Sequence, residues 1–449
     1  MRSLRCHIFW VVMGFLLTSG TVMAQQYLLP SGKERTDRIR FELINNLVII
    51  PMEVNGASLN FILDSGVSKP ILFNLTGQDS IELKQVSPIT IRGLGVGEPV
   101  EALRSLGNTF SVNSLKNLSQ ELYVVLDKEM NFSSSLGIPV HGIIGYDLFR
   151  DYIVEINYSS QYLRFHDPET YTRKIRRDEV TLPLTLTGNK AFLHGSVVVN
   201  NQDEIPVKLL MDTGSSDALW LFPDAEKGLT VPDKHYEDYL GKGLSGTIHG
   251  KRTKIQQVRL GDFVLQDAKA AFPQMESFRL ATNLGDRNGS AGGELLKRFN
   301  MIIDYPGHRI TLSKNALFNK PFQFNLAGIE LEHAGIRYIA ERIANSNGFV
   351  QNDDNSFSSV QIMVGSQTRL SLVPEIVVSA IRAGSPAEEV GLRTGDVILA
   401  VNGKPVHRYK LQEVMEMINS KKGRSIRVLI ERYNQDLLFS FVVRDLFEE

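Results

Sequence analysis

The sequence predicts a mainly β protein with two lobes related by a pseudo-twofold axis, followed by a smaller α+β domain. Three observations predict it. Apolar or alternating runs such as Leu47 to Val54 and Ser196 to Val199 end on turn dipeptides, Asn55-Gly56 and Asn200-Asn201, which is the pattern of half-buried strands. A stretch of about 150 residues, the size of one lobe, occurs twice. Past "NALFNKPF" the texture changes to strand, turn and helix signals closely spaced with glycine.

A chain of 449 residues, 43% hydrophobic and 22% charged, is globular in composition and long enough for two to four domains. Its net charge of -1 gives no reason to expect nucleic acid or an anionic membrane surface as partner. Residues 1–24 read as a secretory signal: Arg2 and Arg5, the apolar run Ile8 to Leu17, then Val22-Met23-Ala24. That run is too short to span a bilayer, and no later segment is long enough, so no membrane span is expected after signal removal. The expected location is periplasmic or secreted. Cys6 precedes the apolar run, which excludes a lipid-modified cysteine after it, and the mature chain has no other thiol. Disulfides, a cysteine nucleophile and cysteine-ligated metal are thereby excluded. A large exported protein without disulfides fits a bacterial envelope.

The first repeat, residues 25–175, carries "NFILDSG". Phe61, Ile62 and Leu63 point to a strand, and Asp64 stands at its end with a hydroxyl and a glycine behind it. Alone, this is a turn, since Asp and Ser bond nearby backbone and Gly takes positive φ. The second repeat, residues 176–320, places Asp212-Thr213-Gly214 after the strand-like run Val207 to Met211. Downstream, a shift of 147 positions superposes Gly145, Leu148, Ile156 and Tyr158 on Gly292, Leu295, Ile303 and Tyr305. Asp64 and Asp212 differ by 148, so a single insertion or deletion reconciles the two matches. Each unit then predicts a short helix, at Asp147 to Arg150 or Glu294 to Lys297, and a hairpin, Asn157 to Gln161 or Asp304 to His308.

A pseudo-twofold brings equivalent turns together, here those of Asp64 and Asp212. Two carboxyls about 3 Å apart cannot both ionise at ordinary pH, so one stays a base and the other an acid. Such a pair suits addition of water to an amide. Ser65 and Thr213 can hydrogen-bond across the axis, and Gly66 and Gly214 allow a tight turn and offer N–H groups to the carboxylates.

With these motifs the chain resembles the pepsin and retropepsin type of aspartic protease. Asp-Ser-Gly stands in the first lobe, Asp-Thr-Gly-Ser-Ser in the second, and Ile143-Ile144-Gly145 follows the first. The resemblance covers residues 40 to 320 and implies Asp64 and Asp212 as catalytic residues, a polypeptide substrate, and no metal or organic cofactor. Two departures stand out: Val67 follows the first Gly, and Ser290-Ala291 replaces the apolar pair before Gly292. Such enzymes close a hairpin over the cleft. Two glycine-rich stretches qualify, Ile91 to Glu101 with Gly93, Gly95 and Gly97, and Gly243 to Gly250.

Residues 321–449 resemble a bacterial PDZ domain through Gly384-Ser385-Pro386-Ala387, Gly391-Leu392, Gly395-Asp396 and Val401-Asn402-Gly403. The hairpin dipeptide Asn402-Gly403 follows the strand Val397 to Val401, and Leu411, Val414, Met415 and Ile418 mark one helix face. The resemblance implies a groove for a peptide C-terminus, held by Ala327, Gly328 and Ile329 with Leu411 beside it. A polar insertion around 333–375 interrupts the module. Two rivals remain in view. Ser290 in "NGSAGGEL" superficially suggests a serine nucleophile, but the following residue is not Gly and His141, His166 and His194 stand in no base motif. An inactive peptide-binding scaffold is the other.

Overall fold

The computed structural model describes residues 26–75, 81–127, 130–200, 203–279, 284–342 and 368–447. The signal stretch 1–24, with Cys6, lies outside the described residues. The fold is mainly β, and among the described residues no helix is long and apolar enough to cross a membrane.

The first lobe is an eight-stranded sheet. Its strand Ala57–Leu63 lies between the antiparallel Leu47–Val54 and the parallel Gly142–Ile144. Gly142–Ile144 then pairs antiparallel with Ile71–Leu72, which runs parallel to Leu115–Val125. The second lobe repeats this path. Ile205–Asp212 lies between antiparallel Lys190–Val198 and parallel Gly289–Gly292. The latter pairs antiparallel with Leu219–Leu221, which runs parallel to Phe263–Pro273. In both lobes the acid therefore emerges from a central strand buried on its flanks, where alternation gives way to a continuous apolar run.

The lobes share an antiparallel floor, Ile39–Arg40, Tyr162–His166, Ile153–Asn157, Phe299–Asp304, Arg309–Lys314 and Glu179–Thr187, which continues into the second-lobe sheet. Its middle pairing locates the symmetry. Val154 faces Ile303, Glu155 faces Ile302 and Ile156 faces Met301. A shift of 147 turns the first of these pairs into the third and maps Glu155 onto Ile302, so the pseudo-twofold passes through that pair. One apolar core runs from Ile50 and Phe61 through Val154, Ile156, Met301 and Ile303 to Leu209 and Met211. At about 1.5–3 kcal/mol for each large apolar side chain buried, a core shared in this way makes neither lobe independent of the other.

Arg298 ends the second lobe. It is 2% exposed, its guanidinium lies 3.6 Å from the centre of the Phe322 ring, and it donates to the carbonyls of Leu317, Phe318, Lys320 and Pro321. The exit of the chain toward the last domain is thereby fixed.

That domain is a six-stranded sheet with the helix Leu411–Ile418 packed on it. Leu411, Val414 and Ile418 share a core with Ile329, Leu331, Val401 and Ile430. Asn402 and Gly403 take φ of 51° and 78°, the two positive values a tight two-residue hairpin requires. The expected insertion at 333–375 begins and ends in strand. Strands Ile329–Arg342 and Thr368–Ile381 pair with each other, which takes in residues 333–342 and 368–375, and residues 343–367 lie outside the described residues.

Candidate active site

Asp64 and Asp212 leave their strands at matching points and are brought together by the residues that follow them. Ser65 is 0% exposed and Thr213 1%. The Ser65 amide donates to Thr213 Oγ1 at 2.9 Å, and the Thr213 amide to Ser65 Oγ at 3.1 Å. Each hydroxyl then donates to the opposite strand, Ser65 to the Met211 carbonyl at 2.5 Å and Thr213 to the Leu63 carbonyl at 2.6 Å. Four buried polar bonds thus cross the axis, each satisfying a group that would otherwise be orphaned.

The glycines are needed for space. A Cβ on Gly66 would lie 3.1 Å from Asp64 Oδ1 and 3.4 Å from Asp212 Oδ1, so both carboxyls reach one point; a Cβ on Gly214 would strike the Asp64 carboxyl. Gly66 N donates to Asp64 Oδ1 at 2.7 Å. Gly145 is glycine for the same reason, since a Cβ there would run into the Asp64 carbonyl.

Burial is the main cause that pushes the Asp64 carboxyl up, to about 7, and the neighbouring Asp212 adds to it. Burial also raises Asp212. Arg287 and Lys190 oppose the rise, as do the Gly214 and Ser215 amides. Neither cation was singled out in the sequence. Arg287 Nε donates to the Gly289 carbonyl at 2.8 Å and Nη2 bonds Ser290 Oγ, while the guanidinium stands 5.2 Å from the Phe222 ring centre. Burial lowers Arg287 to about 10. The replacement of the apolar pair by Ser290-Ala291 therefore has a physical reason: Ser290, 2% exposed, is the buried acceptor for a guanidinium beside Asp212. The three histidines considered as its base have other partners. His141 accepts from the Asn60 amide, His166 pairs with Glu155, and His194 with Thr185.

Both glycine-rich stretches form hairpin tips, and the tips interlock. Gly97 N donates to the Ser245 carbonyl at 2.6 Å, and Ser245 N to the Leu94 carbonyl at 2.9 Å. Gly93 N donates to Ser245 Oγ at 3.1 Å. A Cβ on Gly95 or Gly97 would approach the Ser245 backbone to 2.5 Å, and one on Gly93 the Leu244 Cβ to 2.5 Å. Leu94 of the first lobe packs into the second-lobe cluster of Trp220, Phe222, Leu240 and Phe278. Leu244 of the second lobe packs into the first-lobe cluster of Ile62, Phe73 and Val67, the last three residues beyond Asp64. The two stretches are repeat equivalents, not alternatives.

The loop expected to hold a peptide carboxylate is already satisfied. Ala327 N donates to Asn419 Oδ1 at 3.0 Å, and Gly328 N and Ile329 N to Asn325 Oδ1 at 2.9 and 3.3 Å. Ala327 and Ile329 are fully buried, and Leu411 is 3% exposed in the domain core. In this conformation the three amides hold side-chain amides, which corrects the expectation of an open carboxylate site.

Among the described residues no group of three or more His, Asp, Glu or Cys side chains converges as a metal site.

The family model for aspartyl proteases matches residues 50–148 and 196–287, one segment around each acid turn, and the family model for PDZ domains matches residues 377–432. Among curated proteins, the carboxy-terminal processing protease CtpA of Bacillus subtilis (strain 168) is 33% identical over 79 residues, 18% of this chain and 17% of that protein. A probable CtpA-like serine protease of Staphylococcus aureus (strain COL) is 34% identical over 62 residues, 14% and 12% of the two chains. The chain spans less than a fifth of the length of these relatives. The two matched segments, one in each lobe, and the match at 377–432 show a region of the aspartyl protease family in two segments, followed by a PDZ domain.

Proposed function

We propose that this protein is an aspartic endopeptidase that cuts extended polypeptide with a water activated between Asp64 and Asp212, and that it works outside the cytoplasm. The observation that carries the reading is the crossed lattice of Ser65 and Thr213, which presents both carboxyls to one point beside Gly66. Asp64, buried and next to a second acid, keeps a proton to about pH 7. Asp212, faced by Arg287 in addition to the Lys190 that both acids share, is the ionised partner.

In the reaction Asp212 takes a proton from water while Asp64 hydrogen-bonds and then protonates the carbonyl oxygen. As the C–N bond of the resulting diol breaks, the proton on Asp212 passes to the leaving nitrogen and one diol hydroxyl returns its proton to Asp64, which leaves the carboxylic acid and restores the pair. The interlocked tips favour the chemistry by keeping bulk water from the cleft. Export is supported by the signal-like residues 1–24. The PDZ domain supports a role in binding polypeptide, a peptide C-terminus in particular.

The test is to incubate the purified chain without residues 1–24 with an unfolded protein between pH 3 and 8, beside Asp64→Asn and Asp212→Asn. Each variant is expected to lose activity by on the order of a thousandfold. Cleavage that persists in either variant overturns the dyad, and none by the unmodified chain at any pH favours a binding scaffold.

A further inference from the structure

The cleft has a wall from each lobe, and the strand registers set the two walls in correspondence. Ile49 pairs with Ile62 two positions before Asp64, and Phe192 pairs with Leu210 two positions before Asp212. Continuing each ladder puts Leu47 opposite Asp64 and Lys190 opposite Asp212, and opposed residues share a face with those two positions along. The parallel strands extend the match. Ile143 lies between Ile62 and Ile71, and Ser290 between Leu210 and Trp220. Val140 and Arg287 stand three residues before Ile143 and Ser290.

In the first lobe this wall is apolar: Leu47, Ile62, Ile71, Val140 and Ile143 pack in one cluster. In the second lobe the corresponding residues are Lys190, Leu210, Trp220, Arg287 and Ser290. Two half-buried cations therefore stand where the first lobe has Leu47 and Val140. The Gly289 carbonyl and Ser290 hold Arg287 by Nε and Nη2, and Nη1 has no hydrogen-bond partner among the described residues. Lys190 makes no hydrogen bond or ion pair among them. Lys208, next along the same face, is already paired with Asp286 at 2.7 Å. The carboxyls that Lys190 and Arg287 face are Asp212 and Asp64, and in the proposed mechanism only Asp212 is ionised. Two positive charges against one negative, in a wall partly withdrawn from water, leave one charge to be matched.

We propose that the second-lobe wall is a subsite for an acidic side chain of the substrate, received by Lys190 and Arg287, while the first-lobe wall takes an apolar side chain. The pseudo-twofold puts the walls on opposite sides of the acid pair, so an extended chain lying across the axis meets one wall with each half. The substrate class is polypeptide with Glu or Asp on one flank of the cleaved bond and a large apolar residue on the other. Lys190 offers a compact ammonium and Arg287 a planar donor edge, which together suit a carboxylate. The cleavage rests on the proposed roles of Asp64 and Asp212; the binding of the acidic side chain does not.

The test uses the full chain without residues 1–24 and decapeptides at pH 6 in which a central Leu is followed, or preceded, by Glu, each beside its Gln counterpart. In one of the two orientations the Glu peptide is expected to be cut with kcat/KM about tenfold or more above the Gln peptide, the contribution of one charge-assisted hydrogen bond. Lys190→Met is expected to bring that ratio close to one, and Lys190→Arg to keep it. Met resembles the Leu47 of the corresponding place, so the variant is expected to fold, which thermal melting checks. Binding is read separately in Asp64→Asn, which is neutral like the protonated acid it replaces and cuts nothing. There the fluorescein-labelled Glu peptide is expected to bind about tenfold more tightly than the Gln peptide. Equal cleavage of Glu and Gln peptides in both orientations, equal or undetectable binding, or a Glu preference that both Lys190→Met and Arg287→Met leave intact overturns the subsite. Tighter binding of the Glu peptide with no cleavage by the unmodified chain under any condition overturns the dyad alone.

Discussion

At position 290 the second lobe carries a serine where the first carries Ile143, and Arg287 stands where the first carries Val140, each 147 residues away. The asymmetry is local and specific. Ser290 and Gly292 pair in register with Leu210 and Asp212. Side chains two apart on a strand share a face, so the guanidinium held by Ser290 lies along the face that carries Asp212, with a glycine between them. The first lobe, with Val140 and Ile143, offers no such charge to Asp64. The groups facing Asp212 are Arg287, Lys190, the Gly214 and Ser215 amides, and Asp64 itself. The pair titrates as a unit, but the cation makes Asp212 the first to ionise. The proposed mechanism requires Asp212 ionised and Asp64 protonated, so its acidic limb follows Asp212 and its basic limb falls near pH 7. Removing a positive charge raises the pKa of the acid it faced. Arg287→Met is therefore expected to move the acidic limb of kcat/KM upward, leave the basic limb in place, and be rescued by Arg287→Lys. An acidic limb unmoved by Arg287→Met removes the assigned role.

The hairpin tips are the element in which glycine matters most. Gly97 does not need positive φ; it needs room, because its Cα passes against the Ser245 carbonyl. Gly97→Ala is expected to part the tips without unfolding the hairpin, since the strands Ser87–Ile91 and Val100–Val112 keep their ladder. Activity on an unfolded protein should fall by roughly tenfold or more, about 1.4 kcal/mol or more in the barrier, with little change in melting temperature. Equal activity in the variant would mean that the tips do not gate the cleft. The strands and both acid turns were legible in sequence because each is a local pattern: Leu47–Val54 and Val397–Val401 match the predicted runs residue for residue, and the repeat tied Asp64 to Asp212. The interlock was not. Each tip looks like an ordinary glycine-rich turn, and its partner lies 150 residues away, from Leu94 to Leu244. Arg287 and Lys190 were hidden likewise, as common surface residue types whose burial beside Asp212 only the tertiary fold creates. The amides of Ala327, Gly328 and Ile329 misled for a different reason: a loop can be matched by its glycine while the side chains that fill it, Asn325 and Asn419, leave no motif.

Across the whole molecule, one buried network ties the second acid turn to the PDZ linker. Asp217, five residues after Asp212, bonds Arg252 at 2.7 Å, lies 3.5 Å from Lys269, and accepts from Trp220 Nε1 at 2.8 Å. Lys269 also pairs with Glu294, whose other oxygen accepts from the Gln323 amide at 2.8 Å. Arg252 and Lys269 outweigh burial and hold Asp217 down to about 2. A depressed carboxyl contributes stability above its unfolded pKa and loses it as pH falls through the folded one. Asp217 therefore contributes about 2 kcal/mol near neutrality, lost between about pH 4 and 2. Asp217→Asn is expected to cost about 3 kcal/mol at pH 7, chiefly by leaving buried cations without their partner, and less in denaturant melts at pH 2.5; a cost that does not shrink with acid contradicts the network. The crossed leucines carry a further consequence. Each lobe keeps the other's hairpin in place, so the roof cannot lift on one side alone. Leu94 and Leu244 are half-buried, and releasing both costs about 2 kcal/mol, which leaves roughly one molecule in thirty open at rest. Every substrate then binds with its apparent affinity reduced by that same factor, and anything that unseats one leucine restores it without touching either aspartate.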